Sequence, residues 1–144
     1  MLINMSGLDS VCETTGTKIT EAKDIVHFMG EAKNNRQECF YVITLNTKNT
    51  IIQKHLVTMG LLDSALVHPR EVFYPACMDG ARAIIVVHNH PSGDSTPSAQ
   101  DIKQTEKLLA AGKIMDIPVL DHIIITPGDT WTSLRDQGLC VFER

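Results

Sequence analysis

The sequence lacks the features that mark several large classes of protein. It has no apolar run close to the ~18 residues that a membrane span needs, so we expect no membrane segment. Its four cysteines are far apart and form no Cys-x-x-Cys pair, which argues against a cysteine zinc knuckle and a redox dithiol. Its first residues, MLINMSGLDS, have neither the basic region nor the apolar stretch of a secretory signal. We therefore expect a cytoplasmic protein with free thiols.

Positive charge is also scarce. The chain has 13 Lys and Arg against 17 Asp and Glu, a net charge of −4, and no basic run. Because phosphate neutralisation dominates binding to nucleic acid, the charge disfavours sequence-independent DNA binding by this chain. A local basic patch stays open as an alternative.

The composition is that of an ordinary globular domain. The 144 residues are 43% hydrophobic and 21% charged, which suffices for one domain with its own core. Residues 1–19 show no hydrophobic period, so we expect a loose amino-terminal arm there and the domain over residues 20–144.

Hydrophobic periodicity predicts helices interspersed with strands. Helices are expected over 21–34, from Pro69 onward and from Ser98 to before Pro118. Strands are expected over 37–45, 50–58, 82–87 and 119–126, the first two forming a hairpin. A short turn or helix near 133–136 and an edge strand over 139–142 complete the prediction. This order predicts a single α/β (α+β) domain, a three-layer sandwich of a mixed β-sheet flanked by helices.

The most informative segment follows the buried strand, with the sequence HNHPSGDSTPSAQD over residues 88–101. In extended chain, residues i and i+2 point the same way, so His88 and His90 can present both imidazoles to one point. Asp101 lies in the first turn of the helix begun at Ser98, where the helix dipole favours a carboxylate. Two nitrogens and one oxygen are the ligand set of a catalytic zinc ion that leaves its fourth place to water.

The spacing His-x-His-x7-Ser-x-x-Asp resembles the signature of the JAB/JAMM metallopeptidases. The whole segment resembles, more narrowly, their prokaryotic RadC-like branch. Similarity continues in VHPREVF, VLDHIII and TSLRDQGL and spans residues 20–144. Ser95, where proline is common, departs from the pattern away from the ligand positions. The resemblance implies the JAB/JAMM (cytidine-deaminase-like) sandwich. It also implies a stand-alone catalytic-type domain without the helix-hairpin-helix region of longer RadC-like proteins.

The resemblance also implies roles for further residues. Glu38, at the start of the first predicted strand, matches the glutamate that serves as general base toward zinc-activated water and then protonates the leaving amine. Ser98 has two compatible interpretations, as the N-cap of its helix and, by the resemblance, as a hydrogen-bond donor to the developing oxyanion. The implied cofactor is Zn²⁺, and the implied substrate is a peptide or small protein.

Other conspicuous residues have simpler interpretations. Asp121 and His122 are adjacent on a predicted strand, so at most one of them faces the site and orients a zinc-bound imidazole. His27 and His55 are expected at the surface or its boundary, and Trp131 is expected to pack against the core.

Three functions remain open from the sequence. The first is a zinc-dependent peptidase or isopeptidase. The second is a factor in DNA repair or recombination, as the naming of the RadC-like group suggests, although the acidic charge does not support it. The third is a non-catalytic interaction domain that zinc only stabilises.

Overall fold

The structure is a computed structural model that describes residues 16–60 and 67–142. In chain order its elements are α1 (Ala22–Met29), a 3-10 helix (Gly30–Asn34), β1 (Cys39–Leu45), β2 (Ile51–Met59), α2 (Pro69–Met78), β3 (Ala83–Asn89), α3 (Ala99–Met115), β4 (Val119–Ile125) and β5 (Trp131–Ser133). The predicted single α+β domain with a mixed sheet flanked by helices is confirmed. Within these ranges, none of the helices has the length and apolar character to cross a bilayer.

The five strands form one sheet in the order β2-β1-β3-β4-β5. β1 pairs antiparallel with both β2 and β3, which confirms the predicted hairpin. β3 and β4 are parallel, so the chain must cross over between them, and α3 makes that crossover. β1, β3 and β4 are buried along their whole length, and they therefore appear in the sequence as nearly continuous apolar runs.

Helices cover both faces of the sheet and give three layers. α1 packs Ile25 and Met29 into the core on one face. α2 and α3 contribute Phe73 and Leu108 to the core on the other face. Alternate residues of each central strand enter opposite cores, because successive side chains of a strand point to opposite faces.

The start of α3 is fixed by a reciprocal pair of hydrogen bonds. The Ser98 hydroxyl accepts from the Asp101 N–H at 3.0 Å, and the Asp101 carboxylate accepts from the Ser98 N–H at 2.8 Å. These bonds satisfy two backbone donors that a helix start otherwise leaves unpaired. Because α3 follows β3 after a short loop, the capped end brings Asp101 to the carboxyl end of that strand.

Two sequence predictions differ from the structure. The predicted edge strand over 139–142 is wrong, because the sheet ends with β5 next to β4. Residue 139 closes a turn by donating its N–H to Leu134 O, and Val141 is 92% exposed. The helix predicted over 21–34 ends as an α-helix at Met29, because Gly30 leaves helical geometry with φ 55° and a 3-10 turn follows.

Parts of two predictions lie outside the described residues. Of the predicted arm over 1–19, residues 1–15 are not described, whereas Ile19 is buried and Lys18 bridges to Thr50. Residues 61–66 of the segment that precedes α2 are likewise outside the described ranges.

Candidate metal centre

The three predicted zinc ligands meet at the carboxyl end of β3. The Nε2 atoms of His88 and His90 lie 2.8 Å apart. The two oxygens of Asp101 each lie 3.3 Å from one of these nitrogens, Oδ1 from His88 and Oδ2 from His90. The side chains of His88 and Asp101 are only 1% and 3% exposed, so their polar atoms face one another and not water.

Glu38 lies on the open side of this cluster. Its Oε1 is 3.6 Å from His88 Nε2 and 3.8 Å from His90 Nε2, and ligand atoms of these three residues lie within 4.8 Å of one another. The side chain of Glu38 is 27% exposed, compared with 3% for that of Asp101. Asp101 therefore closes the cluster from the interior, and Glu38 borders it on the side that solvent reaches.

Asn89, between the two histidines, fixes the backbone around Glu38. Its side chain accepts from Cys39 N–H at 2.7 Å and donates to the carbonyls of Asn35 and Gln37 at 3.1 and 3.0 Å. The Glu38 carbonyl in turn accepts from Gly60 N–H at 2.9 Å. Since Asn89 is fully buried, these bonds hold the candidate base in register with the two histidines.

Each histidine of the cluster is oriented through its other ring nitrogen. His90 Nδ1 lies 2.8 Å from the Asp94 carbonyl. Because a carbonyl only accepts, Nδ1 carries a proton, and in the neutral imidazole Nε2 therefore turns its lone pair toward the cluster. His88 Nδ1 lies 2.7 Å from His122 Nε2, and the Phe40 ring stacks on His88 at 5.9 Å. Phe40 thus supplies an apolar wall to the cluster.

The pKa values of the site reflect both burial and proximity. Burial of Asp101 favours its neutral form, but hydrogen bonds to His88, His90 and Ser98 N–H outweigh it and hold the pKa of Asp101 well below its usual range. Burial also opposes the charged form of His90, yet the Asp101 carboxylate and the Asp94 carbonyl raise its pKa overall. The Asp101 carboxylate therefore stays ionised and favours positive charge on the neighbouring imidazole.

Strand alternation separates Asp121 from His122, as the sequence predicts. His122 is fully buried and contacts His88, and burial lowers its pKa well below the ordinary value. Asp121 is held elsewhere, accepting from Ser133 Oγ and from the backbone N–H groups of His122 and Arg135. Of the adjacent pair, only His122 contacts a predicted ligand.

Ser98 and the intervening loop complete the setting. The Ser98 hydroxyl caps α3, and the residue is exposed, so its own proton stays available for a second partner. The loop turns at Gly93, which has φ 90°, and Thr132 Oγ1 of β5 donates to Ser95 Oγ at 2.8 Å. β5 thereby anchors the loop that carries His90 toward α3.

Sequence reasoning missed Asn89, Phe40 and Thr105 as parts of the site. Thr105 Oγ1 contacts His122 Nδ1 at 2.5 Å and lies one helical turn after Asp101. That i, i+4 spacing is a signal that the sequence contains. The roles of Asn89 and Phe40 depend on the pairing of β1 with β3, which no local pattern reveals.

The donor set is of the kind that can hold a metal ion. Two neutral imidazole nitrogens facing one another beside carboxylates have no favourable arrangement unless a cation or a shared proton lies among them. In a tetrahedral zinc site with bonds of about 2.0–2.1 Å, neighbouring ligand atoms lie roughly 3.3 Å apart. Each Asp101 oxygen lies at that separation from one histidine nitrogen, whereas the two histidine nitrogens lie closer together, at 2.8 Å.

Comparison with known proteins shows similarity along nearly the whole chain. A family model described as RadC-like JAB domain matches residues 19–139. UPF0758 proteins of Methanosarcina mazei and Staphylococcus aureus are 43% and 47% identical over 132 and 128 residues, which is 91% and 88% of this chain. These matches cover 57% and 55% of the two relatives, so the chain spans little more than half of their length. The relatives' names state no activity.

Proposed function

Because the chain belongs to the RadC-like JAB domain family, we propose that it is a zinc-dependent metallohydrolase of the JAMM type. Its reaction would be the cleavage of an amide bond in a peptide or small protein, as a peptidase or isopeptidase. The observation that carries the proposal is the convergence of His88, His90 and Asp101 with Glu38 on the accessible side.

Each residue has a distinct task in this proposal. His88, His90 and Asp101 would hold the ion. A bound zinc ion would supply Lewis acidity, which would make a water more acidic and polarise the amide carbonyl. Glu38 takes up the proton that this water loses and returns it to the leaving amine.

Ser98 supplies the remaining polar contact. Its hydroxyl oxygen accepts the Asp101 N–H, and its hydrogen can be donated to the amide oxygen as that oxygen gains negative charge. A donor at this point is worth more in the transition state than in the ground state, because it meets charge that only develops during the reaction.

The exposure of Glu38 favours hydrolysis over a purely structural ion. Structural zinc sites are closed by four protein ligands, whereas catalytic sites keep one position for water or substrate. Glu38 is the more distant and more exposed of the two carboxylates, which suits a base beside an open position. The net charge of −4 gives no support to nucleic acid as the substrate.

The decisive variant is Glu38→Gln, which keeps size and removes the base. We expect it to bind zinc with the wild-type affinity and to lose turnover by roughly 10²–10⁴-fold. The measurements are zinc content, zinc Kd and cleavage of a panel of small-protein–peptide fusions. Glu106→Gln, at an exposed position on α3, is the matched control and should change neither zinc binding nor turnover.

Two results would contradict this mechanism. Full activity of Glu38→Gln would remove Glu38 as the base. A large loss of zinc affinity in the same variant would make Glu38 a fourth ligand of a closed site, as expected for an ion that only stabilises the fold.

The cytoplasmic location predicted from the sequence belongs to the same proposal. It is supported by the three described cysteines, Cys39, Cys77 and Cys140, which are free thiols. Reduced thiols are typical of proteins in that compartment.

A further inference from the structure

A chain of hydrogen bonds leads from the main chain of Asp101 back to His88. The Thr105 hydroxyl lies 2.7 Å from the Asp101 carbonyl and 2.5 Å from His122 Nδ1. His122 Nε2 lies 2.7 Å from His88 Nδ1. Thr105 and His122 are both fully buried, so these polar atoms depend on one another rather than on solvent.

The direction of every proton in this chain follows from its first member. A carbonyl only accepts, so the Thr105 hydroxyl donates to Asp101 O. The Thr105 oxygen then accepts a hydrogen bond from His122 Nδ1, so Nδ1 must carry a proton. A neutral imidazole has one N–H, so His122 Nε2 accepts, and His88 Nδ1 must be the donor.

The opposite direction creates two conflicts. If the Thr105 hydroxyl donated to His122 Nδ1, the Thr105 oxygen and the Asp101 carbonyl oxygen would face each other with no proton between them. His88 would then carry its proton on Nε2, the atom that lies 2.8 Å from His90 Nε2 and that a metal would need. The contacts therefore select one tautomer.

We propose that Thr105 and His122 are positioning residues that fix the tautomer of His88, so that its Nε2 lone pair faces the site before any ion binds. The inference rests on the proposed function in assigning zinc to that lone pair. His90 reaches the same state through the main-chain carbonyl of Asp94, whereas His88, deeper in the protein, depends on two side chains. Partners of this kind around a zinc-bound imidazole typically affect metal affinity 10–100-fold.

The first test uses the wild-type chain without metal. Side-chain ¹⁵N NMR of the histidines should show a proton on Nδ1 of both His88 and His122. A metal-free His88 that carries its proton on Nε2 and none on Nδ1 would overturn the proposal, and this measurement needs no variant to fold.

The second test is Thr105→Val, which keeps the shape and removes the acceptor for His122 Nδ1. We expect a roughly 10–100-fold weaker zinc Kd, measured by competition with a chromophoric chelator, and a His88 signal shifted toward the Nε2–H tautomer. Thr105→Ser should restore both. Thr44→Val is the matched control, because it deletes another buried hydroxyl, which donates to Asp79 at 2.7 Å, far from the site.

The outcomes separate this inference from the proposed function. A Thr105→Val protein that loses stability but keeps the wild-type zinc Kd and His88 tautomer overturns the positioning role. Zinc binding that depends on Thr105, in a wild-type chain that cleaves no amide, supports the positioning role and contradicts only the proposed hydrolysis. A wild-type chain that binds no zinc overturns both.

Discussion

Asp101 combines a structural task with a chemical one. Its carboxylate accepts the Ser98 N–H and so caps α3, and the same group faces both histidines of the cluster. The cap was readable from the Ser-x-x-Asp spacing and the ligand role from the histidines before it. Asn89 had no such signal, because its partners are backbone groups on a different strand. Local patterns thus predicted three residues that the fold brings together, and they missed the side chain that holds the backbone around Glu38 in place.

Asp121 provides a test of buried charge. Burial is the largest influence on the pKa of Asp121 and raises it, and the nearby charge of Asp136 raises it further. The hydrogen bonds from Ser133, Arg135 and His122 lower the pKa but do not outweigh these effects. The folded state therefore favours the protonated acid. As the pH falls from 7 toward the unfolded pKa near 3.9, the wild type should gain stability relative to Asp121→Asn, which cannot ionise.

Urea unfolding of both proteins at several pH values measures this difference. The titration of other carboxylates is common to the two proteins and therefore cancels when their free energies of unfolding are subtracted. Parallel pH profiles for the wild type and Asp121→Asn would contradict the raised pKa.

α3 meets β4 at a point that leaves no room for a side chain. A Cβ on Gly112 would lie 2.6 Å from the Ile117 carbonyl and 3.3 Å from atoms of Phe73 and Val119. Alanine would improve helix propensity by about 1 kcal/mol, but overpacking of a dense core costs about 1–3 kcal/mol. Since the nearest atom is backbone, we expect the overpacking cost to prevail and Gly112→Ala to be destabilised by up to about 2 kcal/mol in urea unfolding.

Ala110→Gly, at an exposed position of the same helix, calibrates the propensity contribution and should cost about 1 kcal/mol. A Gly112→Ala protein that is stabilised by that amount would show that α3 moves aside without cost.

Helices and strands were predictable where they are long. Each central strand is an apolar run bounded by turns, and α3 has an N-cap at one end and a proline soon after the other. β5 was missed because three residues with one fully buried side chain cannot establish an alternating pattern. Its place in the sheet comes from pairing with β4, which is information about the fold and not about the segment.

The protein as a whole should fold without metal. The sheet is sandwiched between two separate hydrophobic cores, and the candidate ligands lie at one end of elements that those cores already fix. A ligand present at 100 times its Kd stabilises a protein by about 2.7 kcal/mol, which corresponds to a rise in Tm of roughly 10 °C for a chain of this size.

Circular dichroism with and without a chelator checks this expectation. The far-ultraviolet spectrum at 25 °C should stay the same on chelation, and only the Tm should fall. Loss of the spectrum would instead show that the ion is needed for folding, as in the non-catalytic interpretation of the sequence.

The position of Asn89 has a consequence for protein engineering. The stretch from His88 to Asp101 looks like a portable cassette, since it contains every predicted metal ligand. Its second residue, Asn89, however, is hydrogen-bonded to the chain that carries Glu38, and that chain would be absent from a foreign scaffold. A transplanted segment would therefore carry the predicted metal ligands but not Glu38, the proposed base. The recipient would also have to supply a neighbouring antiparallel strand in the same register.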